Sequence, residues 1–325
     1  MVPVAVVGAG AFGRNHARVY HQLAQQGEPV RLVGVVDKDA ARADAVAKEF
    51  NCRAFGCIEQ LISTHSEVQA ASVAVPTVHH LAAARTLMQA GIDVLIEKPL
   101  AVSLAEADEL IALAKSCSRI VQVGHLERFN PAVRATVPLI TKPMFFEVHR
   151  LSVFTPRSLD VDVVLDLMIH DLDAVLSFVN SPVQEIRAAG LPILSDKVDI
   201  ANARIEFESG CVANFTASRV STERVRKLRF FQPHQYISLD YGRQDVLVFT
   251  VGSDQGTPSV NPEIKFFKPQ VVPQEPLHAE LQSFLHCVRK RECPVVPLED
   301  GRRALAVALE VIAKIEEHAA KLRLA

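Results

Sequence analysis

Short apolar runs alternate with amphipathic segments over residues 1–124. The apolar runs predict strands at residues 2–7, 30–36, 70–75, 94–96 and 119–123. The segments between them repeat apolar positions every three or four residues, which predicts helices at residues 11–25, 40–50, 78–90 and 104–115. Continuously apolar strands that alternate with helices are typical of a parallel sheet covered on both faces. We therefore predict a doubly wound α/β domain at residues 1–124.

The pattern changes after about residue 128. Helical spacing at residues 131–140 and 165–179 flanks a predicted strand at 144–154. Residues 183–267 then alternate polar and apolar positions, as in "ARIEFES", "CVANFTASRV", "LRFFQ", "YISLDY", "DVLVFTV" and "IKFFK". Such alternation is typical of antiparallel strands with one buried face. We predict a second, α+β domain at residues 125–325, whose terminal helices, 276–290 and 301–322, are free to pack on either domain.

Composition excludes several classes of protein. The 325 residues are 49% hydrophobic and 22% charged with a net charge of −2, which gives no global attraction to nucleic acid or to anionic membranes. No apolar run is long enough to span a bilayer. The six cysteines lie in apolar surroundings without the spacing of a metal site. We therefore expect reduced thiols, no metal and a cytoplasmic location.

A glycine-rich turn, "VAVVGAGAFGRNHA", joins the first strand to the first helix. Gly8, Gly10 and Gly13 have the G-x-G-x-x-G spacing, in which one glycine makes the turn, one lets backbone approach a pyrophosphate and one packs helix on strand. The phosphates would lie at the helix N-terminus, where free N–H groups favour anions. We predict that these glycines, with Ala11 and Phe12 between them, bind a dinucleotide.

An acidic residue ends the second strand, as this kind of site requires. Asp37 in "LVGVVDKD" is predicted to accept hydrogen bonds from the adenosine ribose hydroxyls. Its charge would repel a 2′-phosphate, which favours NAD over NADP, although the neighbouring Lys38 weakens that preference. Both residues belong to the predicted cofactor site.

Two further strands end in residues that suit a ligand. Pro76 and Thr77 follow one strand, with His80 one turn into the next helix, and "VLIEKPLA" delivers Glu97 and Lys98 at the end of another. Ligands of such sheets lie outside the carboxyl ends of the strands. We predict that these residues surround the nicotinamide end of the cofactor.

Taken together, these motifs resemble the glucose–fructose oxidoreductase, inositol dehydrogenase and MocA (Gfo/Idh/MocA) superfamily over essentially the whole chain. "VGHLERFNPAV" and "DLMIHDLD" contribute to the resemblance, and Glu-Lys-Pro after a Rossmann half is specific to it. The resemblance implies an N-terminal NAD(P)-binding Rossmann domain and a C-terminal α+β domain with an open, mostly antiparallel sheet used for oligomerisation. It also implies a dehydrogenase acting on CH–OH donors.

The same resemblance implies the catalytic residues. Lys98 would lie beside the nicotinamide and the sugar carbon, while Asp166 and His170 match the family's second signature. Four residues apart on a helix, the latter two would share a face. Oxidation of an alcohol requires removal of its hydroxyl proton; we assign this to Lys98 and His170, with Asp166 orienting them, and leave open which one takes the proton. Many members carry a glycine run where this chain reads "SLDVDVVLD", so the loop is expected to suit a different substrate.

Residues after the last parallel strand are expected to line the cleft between the domains. His125 is predicted to contact the cofactor, and Glu97 to anchor its ribose rather than perform chemistry. Arg128 and Asn130 are candidate substrate contacts, although Arg128 would serve equally as a domain-linking ion pair. Arg157 would meet an anionic diphosphate or lie on solvated surface.

Three functions remain open for the chain. Within the superfamily, its sequence most resembles the branch of UDP-N-acetylglucosamine 3-dehydrogenases. That resemblance implies oxidation of a nucleotide sugar at C3 in the pathway to the 3-amino sugar of lipid A. The alternatives are a dehydrogenase of a free polyol such as inositol and a non-catalytic NAD(P)-binding regulator. Retention of Lys98 and His170 counts against the regulator. The alternating sheet needs cover on its outer face, so we expect a homodimer or homotetramer.

Overall fold

Two sheets of different kinds organise the chain. The computed structural model describes residues 1–155, 161–252 and 263–323. Contacts between Cα atoms divide the chain into unit 1, Met1–Leu126 with Glu275–Leu305, and unit 2, Glu127–Gln274 with Ala306–Ala325. The sequence predicts a boundary at residue 124 and leaves the terminal helices open between the domains.

Unit 1 contains a parallel sheet with helices between its strands. Its strands are β1 (Val2–Val7), β2 (Val30–Val36), β3 (Arg53–Phe55), β4 (Ala70–Val73), β5 (Asp93–Glu97) and β6 (Val121–Gly124). Its first helices are α1 (Ala11–Gln25), α2 (Ala40–Glu49), α3 (Ile58–Thr64), α4 (His80–Gln89) and α5 (Leu104–Ser116). The described strands form a six-stranded sheet in the order β3-β2-β1-β4-β5-β6. This is the Rossmann order, and the predicted fold class is confirmed for this half.

The reversal of strand order beside β1 positions the ends of four neighbouring strands. β1 pairs in parallel with both β2 and β4, and β5 continues the sheet on the β4 side. The carboxyl ends of these strands carry Gly8, Asp37, Ala74 and Lys98. A ligand bound outside the switch point therefore meets all four loops.

Two short elements of unit 1, β3 and α3, are not predicted from the sequence. β3 has three residues and α3 has seven, too few for a period of two or of 3.6 to emerge from the sequence. β3 nevertheless adds the edge strand beside β2, where the ring of Phe55 lies over Gly34. A Cβ on Gly34 would come 2.5 Å from that ring, so glycine permits the close approach.

Unit 2 is built on a larger, mostly antiparallel sheet. Its helices are α6 (Pro131–Thr136) and α7 (Ile169–Phe178), with a π-helical turn at Val164–Met168 directly before α7. Its strands are β7 (Phe145–Val153), β8 (Val183–Leu191), β9 (Ile200–Phe207), β10 (Val212–Ser221), β11 (Val225–Gln232), β12 (Gln235–Asp240), β13 (Asp245–Gly252) and β14 (Glu263–Phe267). The described strands form an eight-stranded sheet ordered β14-β13-β12-β11-β7-β10-β9-β8. Within it β7 and β10 run parallel, and the other described neighbours are antiparallel, which confirms the predicted α+β class.

One face of this sheet is buried under α7. Phe146 of β7 and Phe230 of β11 stack with ring centroids 5.2 Å apart, and Phe178 of α7 lies within 6.5 Å of both. All three side chains are almost fully buried. The residues adjacent to them, Phe145 and Phe231, point to the opposite face because side chains alternate along a strand.

The two terminal helices are α8 (Pro276–Lys290) and α9 (Leu298–Arg323). In unit 1, α8 packs on α1, and Phe284 and Leu285 join the buried cluster around Val4, Val6 and Tyr20. α9 begins three residues before the predicted helix, and its Gly301 packs directly on Val123. Among the helices of the described ranges, none is both long enough and apolar enough to traverse a bilayer.

Candidate functional site

The glycine turn after β1 has the backbone geometry that a phosphate site needs. Gly8 has a φ of +100°, and a Cβ there would lie 2.5 Å from the carbonyl oxygen of Ala74. A Cβ on Gly13 would overlap the carbonyl of Gly8, so this glycine lets α1 pack against the turn. At Gly10 an added Cβ would meet no described atom within 4 Å. The α1 N-terminus, which no described side chain caps, therefore faces open space with its N–H groups available to an anion.

Asp37 connects β2 to this turn. Its Oδ2 accepts a hydrogen bond from the N–H of Ala9 at 2.7 Å, and its Oδ1 accepts from the N–H of Asp39 at 2.9 Å. The guanidinium of Arg42 lies 3.6 Å from Oδ2. A carboxylate has about four acceptor positions, so Asp37 keeps capacity for a ribose hydroxyl.

A cleft of about 580 Å³ opens between the glycine turn and the ends of β2 and β4. Among the predicted cofactor residues, those that line it are Gly8, Gly10, Ala11, Phe12, Asp37, Lys38 and Pro76. Its other walls include residues that the sequence did not single out: Arg42, Cys57, Ile58, Glu59, His79 and Thr86. Cys57 to Glu59 lie at the start of α3, an element too short to predict. The size and the mixed lining suit a nucleotide cofactor, and these residues fit NAD.

His80 lies beneath the cleft instead of lining it. Its ring is 1% exposed, with Nδ1 3.0 Å from the carbonyl oxygen of Pro99 and Nε2 2.9 Å from that of Val75. Burial lowers the pKa of His80, although both carbonyls and Glu97 act against that shift. A neutral ring donates through one nitrogen only. His80 thus joins the ends of β4 and β5, and Thr77 begins the short 3₁₀ turn that precedes it.

Glu97 is held by a histidine that the sequence did not single out. His16, fully buried on α1, lies with its Nε2 2.9 Å from Oε1 of Glu97, and the backbone N–H of Lys98 donates to Oε2 at 3.2 Å. Burial alone would raise the pKa of Glu97, but the hydrogen bond and charge of His16 and the charge of Lys98 outweigh burial and lower it. A Cβ on Gly124 would lie 3.1 Å from this carboxyl carbon. The predicted ribose anchor is therefore enclosed by α1, β5 and β6.

Lys98 follows β5 directly and is partly buried. Its peptide bond to Pro99 is cis. His125 directly follows the adjacent β6 and is 1% exposed. Its backbone N–H donates to the carbonyl of Val123 at 2.8 Å.

The second signature lies where the helix geometry changes. Asp166 is in the π-helical turn Val164–Met168, and His170 is in the first turn of α7. The sequence predicts one continuous α-helix at residues 165–179; the structure has a π turn followed by α7. π turns inside helices recur at functional sites, where they change the direction of a side chain.

Two of the candidate substrate residues bond within unit 2, and the third cannot be described. The guanidinium of Arg128 lies 3.4 Å from Oδ1 of the buried Asp173. Asn130 is 2% exposed; its Oδ1 accepts from the N–H of Ala132 at the start of α6, and its Nδ2 donates to Glu127 and to the carbonyl of Tyr241. Arg157 lies outside the described residues.

A buried ionic cluster borders His170 in unit 2. Arg150 donates to both oxygens of Asp171, at 2.6 and 2.9 Å, and to Glu127 at 3.0 Å, while its guanidinium lies 5.2 Å from the ring centroid of Tyr241. Burial alone would lower the pKa of Arg150, but the two carboxylates outweigh burial and raise it. The cluster fixes the first turn of α7 to β7.

Comparison with known proteins agrees with this architecture. The family described as "Oxidoreductase family, NAD-binding Rossmann fold" matches residues 2–125, and "GFO/IDH/MocA C-terminal domain" matches residues 145–232. A UDP-N-acetylglucosamine 3-dehydrogenase of Acidithiobacillus ferrooxidans is 37% identical over 96% of both chains. The scyllo-inositol 2-dehydrogenase (NAD(+)) of Bacillus subtilis is 25% identical over 95% of this chain and 92% of its own.

Solved structures give the same result. The A. ferrooxidans UDP-N-acetylglucosamine 3-dehydrogenase GnnA superposes with a TM-score of 0.88 at 35% identity, covering 97% of this chain and 98% of that one. A levoglucosan dehydrogenase in complex with NADH and levoglucosan superposes with a TM-score of 0.84 at 16% identity, which supports the shared fold alone. The chain belongs to the Gfo/Idh/MocA family of NAD-binding oxidoreductases.

Proposed function

We propose that the chain is an NAD-dependent dehydrogenase that oxidises the C3 hydroxyl of UDP-N-acetylglucosamine to the 3-keto sugar. The choice of substrate rests on one observation: the chain is 37% identical to a UDP-N-acetylglucosamine 3-dehydrogenase over 96% of both chains, and 25% identical to the scyllo-inositol 2-dehydrogenase. The cleft at the glycine turn supports the cofactor.

The residues of unit 1 bind and orient the cofactor in this proposal. The N–H groups at the start of α1 hold the pyrophosphate, and Asp37 accepts from the adenosine ribose. Bound NAD supplies the acceptor for the hydride that leaves C3. Lys98, following β5, orients the substrate hydroxyl by donating to its oxygen.

Proton removal is assigned to Lys98 and His170. His170 is the more natural base near neutral pH, because an ordinary imidazole titrates there and an ordinary lysine does not. Asp166 orients the pair. The 3-keto product would then serve an aminotransferase that makes a 3-amino sugar for lipid A, in the cytoplasm, where thiols such as the six free cysteines stay reduced.

The test is turnover with a panel of substrates. Purified protein is incubated with NAD and UDP-N-acetylglucosamine, other UDP-sugars, myo-inositol or scyllo-inositol, and NADH is followed by absorbance. We expect reduction of NAD with UDP-N-acetylglucosamine, its loss in Lys98→Met and His170→Ala, and its retention in Lys115→Met, which removes a lysine that is 72% exposed on α5. Turnover of inositol alone would make the chain a polyol dehydrogenase, and no turnover of any candidate would favour a regulator.

We also propose that the protein assembles with copies of itself through its aromatic stripe, defined as Phe145, Phe231, Tyr236, Phe249 and Phe266. Neighbouring ring centroids along the stripe are 4.9 to 6.3 Å apart. Phe231 is 40% and Phe266 72% exposed on the face away from α7. A contiguous apolar surface of this kind favours a protein contact, and a two-fold axis would bury it against its own copy.

Sedimentation measures this assembly. We expect the double variant Phe231→Ser, Phe266→Ser to sediment as a monomer and the wild type as a dimer or tetramer. Val272→Ser is the control, since Val272 is 71% exposed outside the stripe. A monomeric wild type, or an unchanged double variant, would contradict the proposal.

A further inference from the structure

A buried carboxylate organises the loop between β8 and β9. Asp199 is fully buried, and its Oδ2 accepts from three successive backbone N–H groups, those of Ile193, Leu194 and Ser195, at 2.6 to 2.9 Å. Its Oδ1 accepts from the Ser195 hydroxyl and from Nε of Arg219, both at 2.8 Å. Burial would raise the pKa of Asp199, but these donors hold it well below its usual range. The loop is thus closed around a carboxylate that is ionised at neutral pH.

Arg219 extends the closure to the segment that leads into the π turn. Its Nη2 donates to the carbonyl of Val161 at 2.8 Å and to that of Val198 at 3.0 Å. The guanidinium of Arg219 therefore bonds the buried carboxylate, the loop backbone at Val198 and the segment backbone at Val161. The planar guanidinium has several N–H donors, so one side chain makes all three bonds.

The next two residues of the segment are bonded to the same loop. The N–H of Val198 donates to Oδ1 of Asp162 at 3.0 Å, and the N–H of Val163 donates to the carbonyl of Val198 at 3.0 Å. The carbonyl of Asp162 in turn accepts from the N–H of Asp166 at 3.0 Å. Residues 161–163 are therefore fixed on one side to the loop and on the other to the first turn that carries Asp166.

This segment lies within "SLDVDVVLD", which ends at Asp166. Where it is described, from residue 161, side-chain and backbone bonds fix the backbone. Fixed geometry matters because a reacting group displaced by about 1 Å can lose on the order of a hundredfold in rate.

We propose that Asp162, Asp199 and Arg219 form a positioning clamp, which sets the place of Asp166 and His170 by fixing the start of the π turn. The clamp rests on the proposed function, since it acts through the two residues assigned to proton transfer. Its members are positioning residues and do not themselves take part in the chemistry.

The variant Asp162→Ala tests the clamp with little damage to the fold. It removes the acceptor for Val198 and leaves the Asp199–Arg219 pair in place. We expect kcat to fall by about tenfold to a hundredfold, with the melting temperature and the Kd for NAD close to wild type. Asp162→Asn keeps an oxygen acceptor and should restore most of kcat. Asp240→Ala is the matched control, because it removes a carboxylate that likewise accepts backbone N–H groups at 3.0 Å, in the turn between β12 and β13.

Amide hydrogen exchange tests the same clamp without turnover. We expect exchange at residues 163–170 to be faster in Asp162→Ala than in wild type, Asp162→Asn or Asp240→Ala. If no substrate reduces NAD, the proposed function fails, and exchange still decides whether the clamp fixes the π turn. Unchanged exchange, or a kcat that falls equally in Asp162→Ala and Asp240→Ala, would overturn the clamp.

Discussion

Removal of the Asp37 carboxylate should change the choice of cofactor. In Asp37→Ala we expect the Kd for NAD to rise by about ten- to a hundredfold, because a hydrogen bond to a charged acceptor contributes about 1.5–3 kcal/mol and each 1.4 kcal/mol is tenfold. NADP should lose much less, since the variant also removes repulsion of the 2′-phosphate. The guanidinium of Arg42, 3.6 Å from Oδ2 of Asp37, loses that neighbour, stays paired with Asp39 at 3.2 Å and lies close enough to meet the phosphate.

Calorimetric titration with each cofactor measures both constants. Asp37 also holds the glycine turn through the N–H of Ala9, and loss of this bond weakens both cofactors alike. Because that common loss cancels in the ratio of the Kd for NAD to the Kd for NADP, a change in the ratio reports the ribose contact alone. Asp44→Ala is the control: Asp44 is exposed on α2 and does not line the cleft, so its loss should leave the ratio nearly unchanged. Equal weakening of NAD and NADP in Asp37→Ala would refute the ribose role.

Three further changes test the site and its supports. Gly13→Ala puts a Cβ into the carbonyl of Gly8, so NAD binding measured by calorimetry should weaken by at least about tenfold; unchanged affinity would mean that the turn tolerates displacement. His16→Leu removes the ring partner of Oε1 of the enclosed Glu97 and leaves the Lys98 N–H on Oε2, so chemical denaturation should report a loss of about 1–3 kcal/mol in unfolding free energy and kinetics a lower kcat; wild-type values of both would show that His16 does not support Glu97. The lowered pKa of Asp199 stabilises the fold fully above its unfolded value near 3.9, and this contribution is lost as pH falls below that value. The difference in unfolding free energy between wild type and Asp199→Asn should therefore narrow below about pH 4, and a constant difference would contradict the assignment.

The sequence predicts those parts of the fold that depend on local pattern. Continuous apolar runs predict five of the six described strands of the parallel sheet to within two residues at each end, and α1 and α8 have the predicted bounds. Glycine spacing and Asp37 identify the cleft because each residue follows its own strand. β3 and α3 are too short to produce a periodic signal, and with them the wall at Cys57 to Glu59 is missed.

Pairings between distant segments could not be predicted. His16 and Glu97 are 81 residues apart and meet because the strand order brings β5 close to α1. Asp199 gathers its N–H groups through the conformation of one loop, which no spacing indicates. The π turn at Asp166 has the same residue pattern as an α-helix, so periodicity does not distinguish them.

Transfer of an isotope from the substrate carbon to the cofactor shows directly whether the protein oxidises UDP-N-acetylglucosamine at C3. UDP-N-acetylglucosamine carrying deuterium at C3 is incubated with the protein and NAD, and the mass of the NADH formed is measured by mass spectrometry. We expect one deuterium in the NADH formed by wild type, and no reduced cofactor from Lys98→Met or His170→Ala. NADH without deuterium would contradict oxidation at C3, and turnover of both variants at the wild-type rate would contradict the roles of Lys98 and His170.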